Sequence, residues 1–392
     1  MNHFDTIIIG AGPAGLTAAQ VLQEKQNVLL IDEYYHYGGR LLGQLYEETK
    51  GEWWNGMEVA RKLYNEVSEK VNFKLGTSVY NLEHSNQGFD IYTTSGHFQS
   101  EHLIVATGGK EKSTPLPGWD LPGVMTVGAA QVLTNFQRVK PGNKGVIIGI
   151  NPLSMVIALE LGYAYVDVAK ICLPPVNLIN KATPKEALET LISLGNSAPS
   201  TFFSTGSKIA GKVTPLQQLA LQFFPKKGVH ALGLPISIKE RVIRINGQHE
   251  VESVTIQKTN ASGVLIEGTE KEIACDFVCI SDGLSPVNEV TSLLNLKHIY
   301  MESLGGYVPL HNETMETEIE NLYVAGNITG IENAKIAMLQ GKMAANQIIK
   351  DTISSKKTLE AITYERQHAK VTFHKDLHQG RKNLQRLWTQ YV

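Results

Sequence analysis

Residues 7–22, IIIGAGPAGLTAAQVL, join a run of β-branched residues to a helical pattern through a glycine-rich turn. The apolar run begins at Phe4 and is typical of a strand that is buried on both faces of a parallel sheet. In the turn, Gly10 permits the tight connection, Gly12 lets the backbone approach a pyrophosphate, and Gly15 allows the helix to pack closely on the strand. The segment therefore predicts the start of a Rossmann-like β–α–β unit.

The helix after the turn begins at Pro13-Ala14, and its unpaired N–H groups are suited to bind phosphate. A second strand pattern, Asn27 to Ile31, places Asp32 twenty residues after Gly12. An acidic residue at about this spacing accepts hydrogen bonds from ribose hydroxyls. The strand, turn, helix and acid occur in the required order, so the sequence predicts a dinucleotide-binding domain.

The composition is that of a folded α/β protein. The 392 residues include 42% apolar and 19% charged residues, and at about 150 residues per domain this length favours two or three domains. The formal charge of −2 argues against a general basic surface for nucleic acid. Three cysteines cannot form a disulfide framework. We expect a cytoplasmic protein with no nucleic-acid partner, no signal peptide and no transmembrane segment.

Three further segments resemble FAD elements of the glutathione reductase and thioredoxin reductase class of flavoproteins. Gly38-Gly39-Arg40 is similar to their Gly-Gly loop over the FAD pyrophosphate. Residues 103–109, LIVATGG, resemble their strand-plus-ATG segment beside FAD. Residues 321–327, NLYVAGN, resemble their second FAD fingerprint, in which an aspartate usually meets the ribityl chain. Here that position is Asn327, whose amide can still accept from a ribityl hydroxyl.

The pattern over residues 333–350 predicts a helix whose N-terminal dipole would face the N1/O2 edge of the flavin and stabilise its reduced, anionic form. Four elements in the family's order imply FAD as the cofactor. No catalytic acid or base is identified. The FAD-binding residues implied by the resemblance are Gly10, Gly12, Pro13, Ala14, Gly15, Asp32, Glu33, Gly38, Gly39, Arg40, Val79, Ala106, Thr107, Gly108, Gly326, Asn327 and Ala334.

Residues 146–161, VIIGINPLSMVIALEL, repeat the opening motif at an offset of 139. In flavoproteins with two dinucleotide-binding domains, the second copy is expected to bind NAD(P). Gly149 is kept here, but Asn151 and Ser154 replace the second and third glycines, and a Cβ at position 151 obstructs the pyrophosphate approach. The next strand pattern, residues 166–173, is followed by two prolines rather than an acid. We expect the second fold to persist without tight NAD(P)H binding; weak binding, or binding of another nucleotide, stays open.

The cysteines and histidines do not predict a redox or metal site. Cys172 lies in a strand pattern, and Cys275 and Cys279 are placed on another strand at i and i+4, roughly 13 Å apart along it. This spacing does not form a redox dithiol, a zinc site or an iron–sulfur site. His374 and His378 would share one helix face, but no third ligand accompanies them. We therefore expect no bound metal.

Residues 104–133, IVATGGKEKSTPLPGWDLPGVMTVGAAQVL, resemble the FAD-bearing alpha-type subunits of heteromeric amine oxidoreductases. These include subunits of sarcosine oxidase, hydrogen cyanide synthase, opine oxidase and dye-linked proline dehydrogenase. Residues 282–288, DGLSPVN, and 326–345, GNITGIENAKIAMLQGKMAA, are similar to two further motifs of that family. Many members end in a cysteine-rich domain with a [2Fe–2S] cluster, whereas no cysteine follows Cys279 here.

The resemblance implies an α/β fold with two Rossmann-like dinucleotide-binding domains. The FAD domain is expected to be discontinuous, over residues 1–115 and 295–352, with the second domain over residues 116–294. Residues 174–212 are interpreted as short helices and loop. Residues 353–392 form a basic tail in which apolar residues recur at helical spacing. We favour packing of this tail on its own domain; docking on a partner subunit or an anionic membrane surface stays open.

The leading functional hypothesis is the electron-transfer subunit of an amine or imino-acid dehydrogenase or oxidase. Its substrate would be proline, hydroxyproline, sarcosine, glycine or an opine-like compound. The implied partners are a flavoprotein beta subunit, together with a small iron–sulfur subunit. One alternative is a stand-alone NAD(P)H-dependent flavin oxidoreductase that reduces a quinone, ferredoxin or oxygen. A second is a non-catalytic, FAD-stabilised assembly subunit.

Overall fold

The computed structural model describes residues 2–49, 51–177, 180, 182–197, 225, 228–231, 233–369, 371–374 and 376–392. The chain forms two compact units. The first consists of Met1–Leu42, Asn55–Lys110 and Leu284–Val392, and the second of Gly43–Trp54 and Glu111–Gly283. Compared with the expected division, the C-terminal tail belongs to the first unit, and a short segment after Leu42 belongs to the second.

The strands, numbered along the chain, are β1 His3–Ile9, β2 Val28–Asp32, β3 Leu45–Thr49, β4 Glu52–Asn55, β5 Asn72–Leu75, β6 Val79–Ser85, β7 Gly88–Thr93, β8 Gly96–Val105, β9 Gly109–Glu111, β10 Val124–Thr126, β11 Lys144–Ile148, β12 Asp167–Leu173, β13 Val229–Ala231, β14 Leu234–Asn246, β15 Ser253–Lys258, β16 Lys271–Ala274, β17 Phe277–Ile280, β18 Leu284–Pro286, β19 His298–Met301, β20 Gly306–Pro309 and β21 Leu322–Val324.

The α-helices are α1 Pro13–Leu22, α2 Gly56–Asn65, α3 Val127–Asn135, α4 Pro152–Tyr163, α5 Pro184–Ser197, α6 Glu289–Ser292, α7 Ala334–Ile348, α8 Thr352–His368 and α9 Leu377–Tyr391. Short 3₁₀ helices cover Gly39–Gly43, Glu302–Leu304 and Gly326–Thr329.

The sheet of the first unit has the order β5-β2-β1-β8-β7-β6, with β21 paired to β8. β1 lies parallel between β2 and β8, with Ile8 opposite Leu30 on one side and Ile104 on the other. Successive β1 side chains enter different cores because strand side chains alternate between faces. Ile8 packs with α1 and α7, whereas Ile7 and Ile9 pack in the cluster on the opposite face.

The second unit repeats this arrangement. Its sheet has the order β10-β17-β11-β12-β14-β15-β16, and β11 lies parallel between β12 and β17. Ile147 packs in the cluster that contains residues of α4, and Val146 and Ile148 pack in the cluster on the other face. The β11–α4–β12 unit thus repeats β1–α1–β2, and the prediction of two Rossmann-like domains is confirmed.

Glu160 explains why the segment after Leu42 belongs to the second unit. Its buried carboxylate accepts hydrogen bonds from Gln131 Nε2 and Asn135 Nδ2, both at 2.8 Å, and from the Leu45 N–H at 3.4 Å. Asn135 Nδ2 also donates to the Gly43 carbonyl at 2.7 Å. Burial raises the pKa of Glu160 to about 7. These bonds fix the β3–β4 segment on α3 and α4.

Several local expectations need correction. Within residues 174–212, α5 is a single helix of 14 residues, and residues 178–179, 181 and 198–212 lie outside the described residues. Cys275 precedes the strand Phe277–Ile280 instead of lying in it. His374 precedes α9, so it does not share a helix face with His378.

Candidate functional site

The turn between β1 and α1 contains glycines with two different roles. Gly10 has φ +114°, and a Cβ there would lie 2.3 Å from the Ala106 carbonyl oxygen. A Cβ on Gly15 would lie 1.9 Å from the Gly10 oxygen. At Gly12 the backbone conformation is ordinary, with φ −78°, and nothing lies within 4 Å of an added Cβ. The fold therefore requires Gly10 and Gly15, whereas Gly12 keeps open space in front of the helix.

Gly12 is also the N-cap of α1 and provides no side-chain hydrogen bond to the first turn. Pro13 and Ala14 open the helix, as predicted, and Pro13 has no N–H to satisfy. The first-turn N–H groups are thus available to an anion, and the positive end of the helix dipole favours one. This combination of open space and uncapped helix fits a pyrophosphate.

The second glycine loop lies directly against the first. A Cβ on Gly39 would approach the Gly12 Cα to 3.1 Å. The Gly38 N–H donates to the Ala11 carbonyl at 2.8 Å. Arg40 follows within the 3₁₀ helix Gly39–Gly43 and is partly buried. The structure therefore brings together the two loops that the sequence assigned to the pyrophosphate.

Asp32 lies at the end of β2 and braces the turn. Its Oδ2 accepts from the Ala11 N–H at 2.6 Å, and its Oδ1 accepts from the Tyr34 N–H at 2.8 Å. Burial raises the pKa of Asp32, and the two backbone hydrogen bonds oppose that rise. Each oxygen retains a lone pair for a ribose hydroxyl. The sequence predicted the ribose role but not the bracing role, because Ala11 has no side chain that would signal it.

Glu33 and Val79 lie at the edge of this region. Glu33 is exposed. Val79 begins β6 two residues after Thr77, whose N–H donates to the Asp32 carbonyl at 2.9 Å. Their assignment to FAD stays a prediction.

The strand-plus-ATG segment also reaches the same sheet edge. The buried Ala106 donates its N–H to the Ile9 carbonyl at 2.8 Å. Thr107 Oγ1 donates to the Val287 carbonyl at 2.8 Å. Gly108 has φ +77°, and nothing lies within 4 Å of a Cβ added there. Gly108, like Gly12, therefore borders open space.

The second fingerprint joins this edge through β21. A Cβ on Gly326 would lie 3.1 Å from the Ala14 Cβ, and one on Gly341 would lie 2.0 Å from the Ala14 oxygen. The start of α1 thus contacts both the fingerprint and α7. Gly341 was not among the predicted residues; its signal was a glycine within a helical pattern, which indicates close packing.

The helix predicted over residues 333–350 spans Ala334–Ile348, with Asn333 as its N-cap. The Asn333 side chain accepts from the Ile336 N–H at 2.9 Å. Asn327 Oδ1 accepts from the Glu332 N–H at 3.2 Å, which occupies one acceptor position of its amide. Its Nδ2 is suited to donate to a ribityl hydroxyl.

The equivalent turn of the second unit is closed by its own side chains. Asn151 is the N-cap of α4, and its Oδ1 accepts from the Ser154 N–H at 3.0 Å. Ser154 Oγ accepts from the Asn151 N–H at 3.1 Å, which completes a capping box. Asn151 Nδ2 donates to the Ser281 carbonyl at 2.9 Å. The N–H groups of Asn151 and Ser154, unlike those at the Gly12 turn, are thus capped by side chains.

The cysteines are buried and unpaired by disulfides. Burial raises the pKa of Cys275 to about 11 and raises the thiol pKa of Cys172 and Cys279 still further. A thiol with a raised pKa is a poor nucleophile and a poor redox group. Across the described residues, no group of three or more His, Cys, Asp or Glu side chains is placed to hold a metal ion.

The C-terminal tail packs on its own unit, as favoured from the sequence. Leu377 and Leu384 of α9 are buried in a cluster with Leu304, Val308 and Leu310, and Leu387 and Trp388 pack against it. None of the described helices is long and apolar enough to span a membrane.

Two of the chain's relatives illustrate the similarity, and both are named as subunits. It is 22% identical to an opine oxidase subunit of Agrobacterium tumefaciens (strain Ach5), over 89% of this chain and 66% of that protein. It is 26% identical to a hydrogen cyanide synthase subunit of Pseudomonas protegens, over 93% of this chain and 75% of that protein. The match therefore spans slightly less than two thirds of the opine oxidase protein. The predicted resemblance to subunits of opine oxidase and hydrogen cyanide synthase is confirmed.

Among solved structures, thioredoxin reductase from T. acidophilum has the same fold, with a TM-score of 0.63 at 20% identity. The match covers 90% of this chain and all of that one. The sequence profile of the pyridine nucleotide-disulphide oxidoreductase family matches residues 4–341, and this range contains both glycine turns and the second fingerprint. The chain therefore belongs to the pyridine nucleotide-disulphide oxidoreductase family and is an FAD-dependent oxidoreductase.

Proposed function

We propose that this chain is the electron-transfer subunit of a heteromeric amine or imino-acid dehydrogenase or oxidase. A partner flavoprotein would oxidise the carbon next to nitrogen, and this chain would receive the electrons and pass them to an acceptor. Both curated relatives described above are named as subunits, which supports a partner. The candidate substrates are proline, hydroxyproline, sarcosine, glycine and opine-like compounds, and a small iron–sulfur subunit is a further candidate partner.

The observation that carries the proposal is the capping of α4 by Asn151 and Ser154. A nicotinamide dinucleotide at this turn would have to displace the Asn151 side chain from Ser154 and Ser281. β12 also ends without an acidic residue for a ribose. Electrons supplied by NAD(P)H are thus disfavoured, and a partner chain becomes the natural donor.

The chain's own residues would hold and orient FAD. The open space at Gly12 and Gly108 and the uncapped start of α1 fit the pyrophosphate. Asp32 would bind ribose, and Asn327 the ribityl chain. Bound FAD would accept two electrons together and release them one at a time.

We expect NADH to leave the flavin of the isolated chain oxidised. The test is anaerobic absorbance at the flavin band before and after a slight excess of NADH. Addition of a purified partner flavoprotein with its amine should then bleach the band. Rapid bleaching by NADH alone would instead indicate the stand-alone reductase, and no reduction under either condition would indicate an assembly role without catalysis.

A second prediction concerns Asn151→Gly. The substitution removes the side chain that closes the turn, so we expect NADH affinity to rise on the order of tenfold. Loss of the cap should lower the free energy of unfolding by only about 0.3 kcal/mol, because glycine is itself well tolerated at an N-cap. Calorimetric titration with NADH measures the first effect and urea unfolding the second.

The matched control is Asn55→Gly, because Asn55 caps α2 through the Glu58 N–H at 3.4 Å and belongs to neither glycine turn. It should reduce stability without changing NADH affinity. An unchanged NADH affinity in Asn151→Gly would mean that the missing acid after β12, and not Asn151, is the larger defect.

A further inference from the structure

The loop between β21 and α7 is held by both C-terminal helices through one buried carboxylate. Glu332 lies in this loop, and its side chain is 2% exposed. Arg366 of α8 binds it with two bonds, Nε to Oε1 at 2.7 Å and Nη2 to Oε2 at 2.9 Å. Arg381 of α9 also donates to Oε2 through Nη2. Two consecutive helices, whose arginines are 34 and 49 residues from Glu332 in sequence, therefore converge on this one residue.

The cluster carries one net positive charge. Burial would raise the pKa of Glu332, but the guanidinium groups of Arg381 and Arg366 hold it below its ordinary value. Burial lowers the pKa of Arg381 to about 10, which leaves it protonated at neutral pH. Displacement of a member of this buried cluster is strongly unfavourable, because it leaves a buried charge without its counter-charge.

Hydrogen bonds connect this cluster with the second FAD fingerprint. The Glu332 N–H donates to Asn327 Oδ1 at 3.2 Å. Arg381 Nη1 donates to the Thr329 carbonyl at 2.7 Å, and Thr329 Oγ1 donates to the Gly326 carbonyl at 2.9 Å. Each of the two fingerprint residues, Gly326 and Asn327, is thus two hydrogen bonds away from Arg381.

The tail helices lie outside the part shared with the family. The family profile ends at residue 341, whereas α8 begins at Thr352 and α9 at Leu377. Arg366 and Arg381 therefore lie outside the residues that the family profile matches.

We propose that Arg381, supported by Arg366, is a positioning residue for the flavin: it fixes the loop Gly326–Asn333 from the C-terminal tail, so that FAD affinity and the flavin reduction potential depend on α9. The inference rests on the FAD site proposed above. Arg381 acts through Glu332 and Thr329 and not by contact with a reacting atom. Its positive charge also favours the reduced, negatively charged flavin.

The test compares Arg381→Gln with Arg386→Gln. Arg386 lies on the same helix and is exposed, so its replacement removes an equal charge without touching the loop. In Arg381→Gln we expect the FAD dissociation constant to rise about tenfold or more and the flavin midpoint potential to become more negative. FAD binding is followed by fluorescence titration of the apoprotein, the potential by dye-coupled photoreduction, and folding of the apoprotein by circular dichroism.

Arg386→Gln should match the wild type in every measurement. If Arg381→Gln fails to fold, Arg381→Lys keeps the charge and should give a folded apoprotein with intermediate FAD affinity. A variant that loses thermal stability but keeps the wild-type dissociation constant and potential would overturn the inference. These comparisons do not depend on the proposed partner. The proposal of a partner fails if NADH reduces the wild-type flavin, or if a partner flavoprotein with its amine does not reduce it.

Discussion

The Gly12→Val variant should purify as a folded protein without FAD. The valine would occupy the space in front of α1, where a Cβ has no protein atom within 4 Å and a pyrophosphate is expected. Gly10 and Gly15 cannot serve this purpose, because a Cβ on either would collide with backbone and disturb the fold itself. Gly12 has an ordinary φ of −78°, so the substitution adds no backbone strain.

The measurement is the ratio of flavin to protein absorbance after purification, together with the far-ultraviolet circular dichroism of the apoprotein. We expect less than about a hundredth of the wild-type FAD affinity, since a clash with the pyrophosphate cannot be relieved without moving the helix. Gly162→Val is the matched control, because its Cβ also meets nothing within 4 Å and Gly162 lies in the other unit. Full FAD occupancy in Gly12→Val would show that the pyrophosphate lies elsewhere.

The glycine turns could be predicted from the sequence because their requirements are local. Gly10 and Gly15 each exclude a Cβ by contact within the β1–α1 unit or with the adjacent strand, and these positions follow directly from the motif spacing. The meeting of Gly39 with Gly12 was also anticipated, although through a family resemblance. Motif spacing thus predicts those parts of the site that lie within a single turn of the chain.

The residues that form the capping box at Asn151 could also have been recognised in the sequence. An asparagine followed three residues later by serine, at the start of an apolar helix, is a pattern that favours reciprocal capping. Comparison with the glycine motif indicated only that a glycine was missing. The structure adds what replaced it, since Ser154 and Ser281 both bind the asparagine side chain.

Other features depended on contacts that no local pattern indicates. The β3–β4 segment joins the second unit through the buried Glu160, which lies 115 residues from Leu45 in sequence. The leucine spacing of the tail predicted α9, but not the ion pair that its arginine forms, because Arg381 and Glu332 are 49 residues apart. Pairing of charges across such distances is decided by tertiary packing.

Of the single substitutions proposed for the first unit, Glu332→Gln should lower the free energy of unfolding the most. Removal of the carboxylate leaves the Arg366 and Arg381 guanidinium groups close together with no counter-charge, and Arg381 is buried. Breaking a buried ion pair from one side costs roughly 3–5 kcal/mol. We expect a fall of this size in the free energy of unfolding of the apoprotein, measured by urea denaturation at neutral pH.

The double variant Glu332→Gln with Arg381→Gln separates unpaired charge from simple loss of packing. It removes one of the two uncompensated cations, so its destabilisation should be smaller than the sum of the two single variants. If the destabilisation of the double variant instead equals the sum of the two single variants, the ion pairing contributes little and Glu332 acts mainly by filling space. Arg386→Gln again provides the control for charge, because Arg386 is exposed on the same helix.

The pH dependence of the same variant gives an independent measurement. The pKa of Glu332 in the folded chain lies below its ordinary value of 4.5, because Arg381 and Arg366 outweigh the effect of burial. Such a carboxylate stabilises the fold fully above its unfolded pKa, and this contribution is lost as the pH falls through the folded pKa. The wild type should therefore lose stability progressively below about pH 4.5, and Glu332→Gln should lack this part of the acid dependence. If the free energies of unfolding of the two proteins have the same pH dependence, Glu332 is not charged in the folded chain. A side chain that is already neutral has no charge to lose as the pH falls, so it adds nothing to the acid dependence of stability.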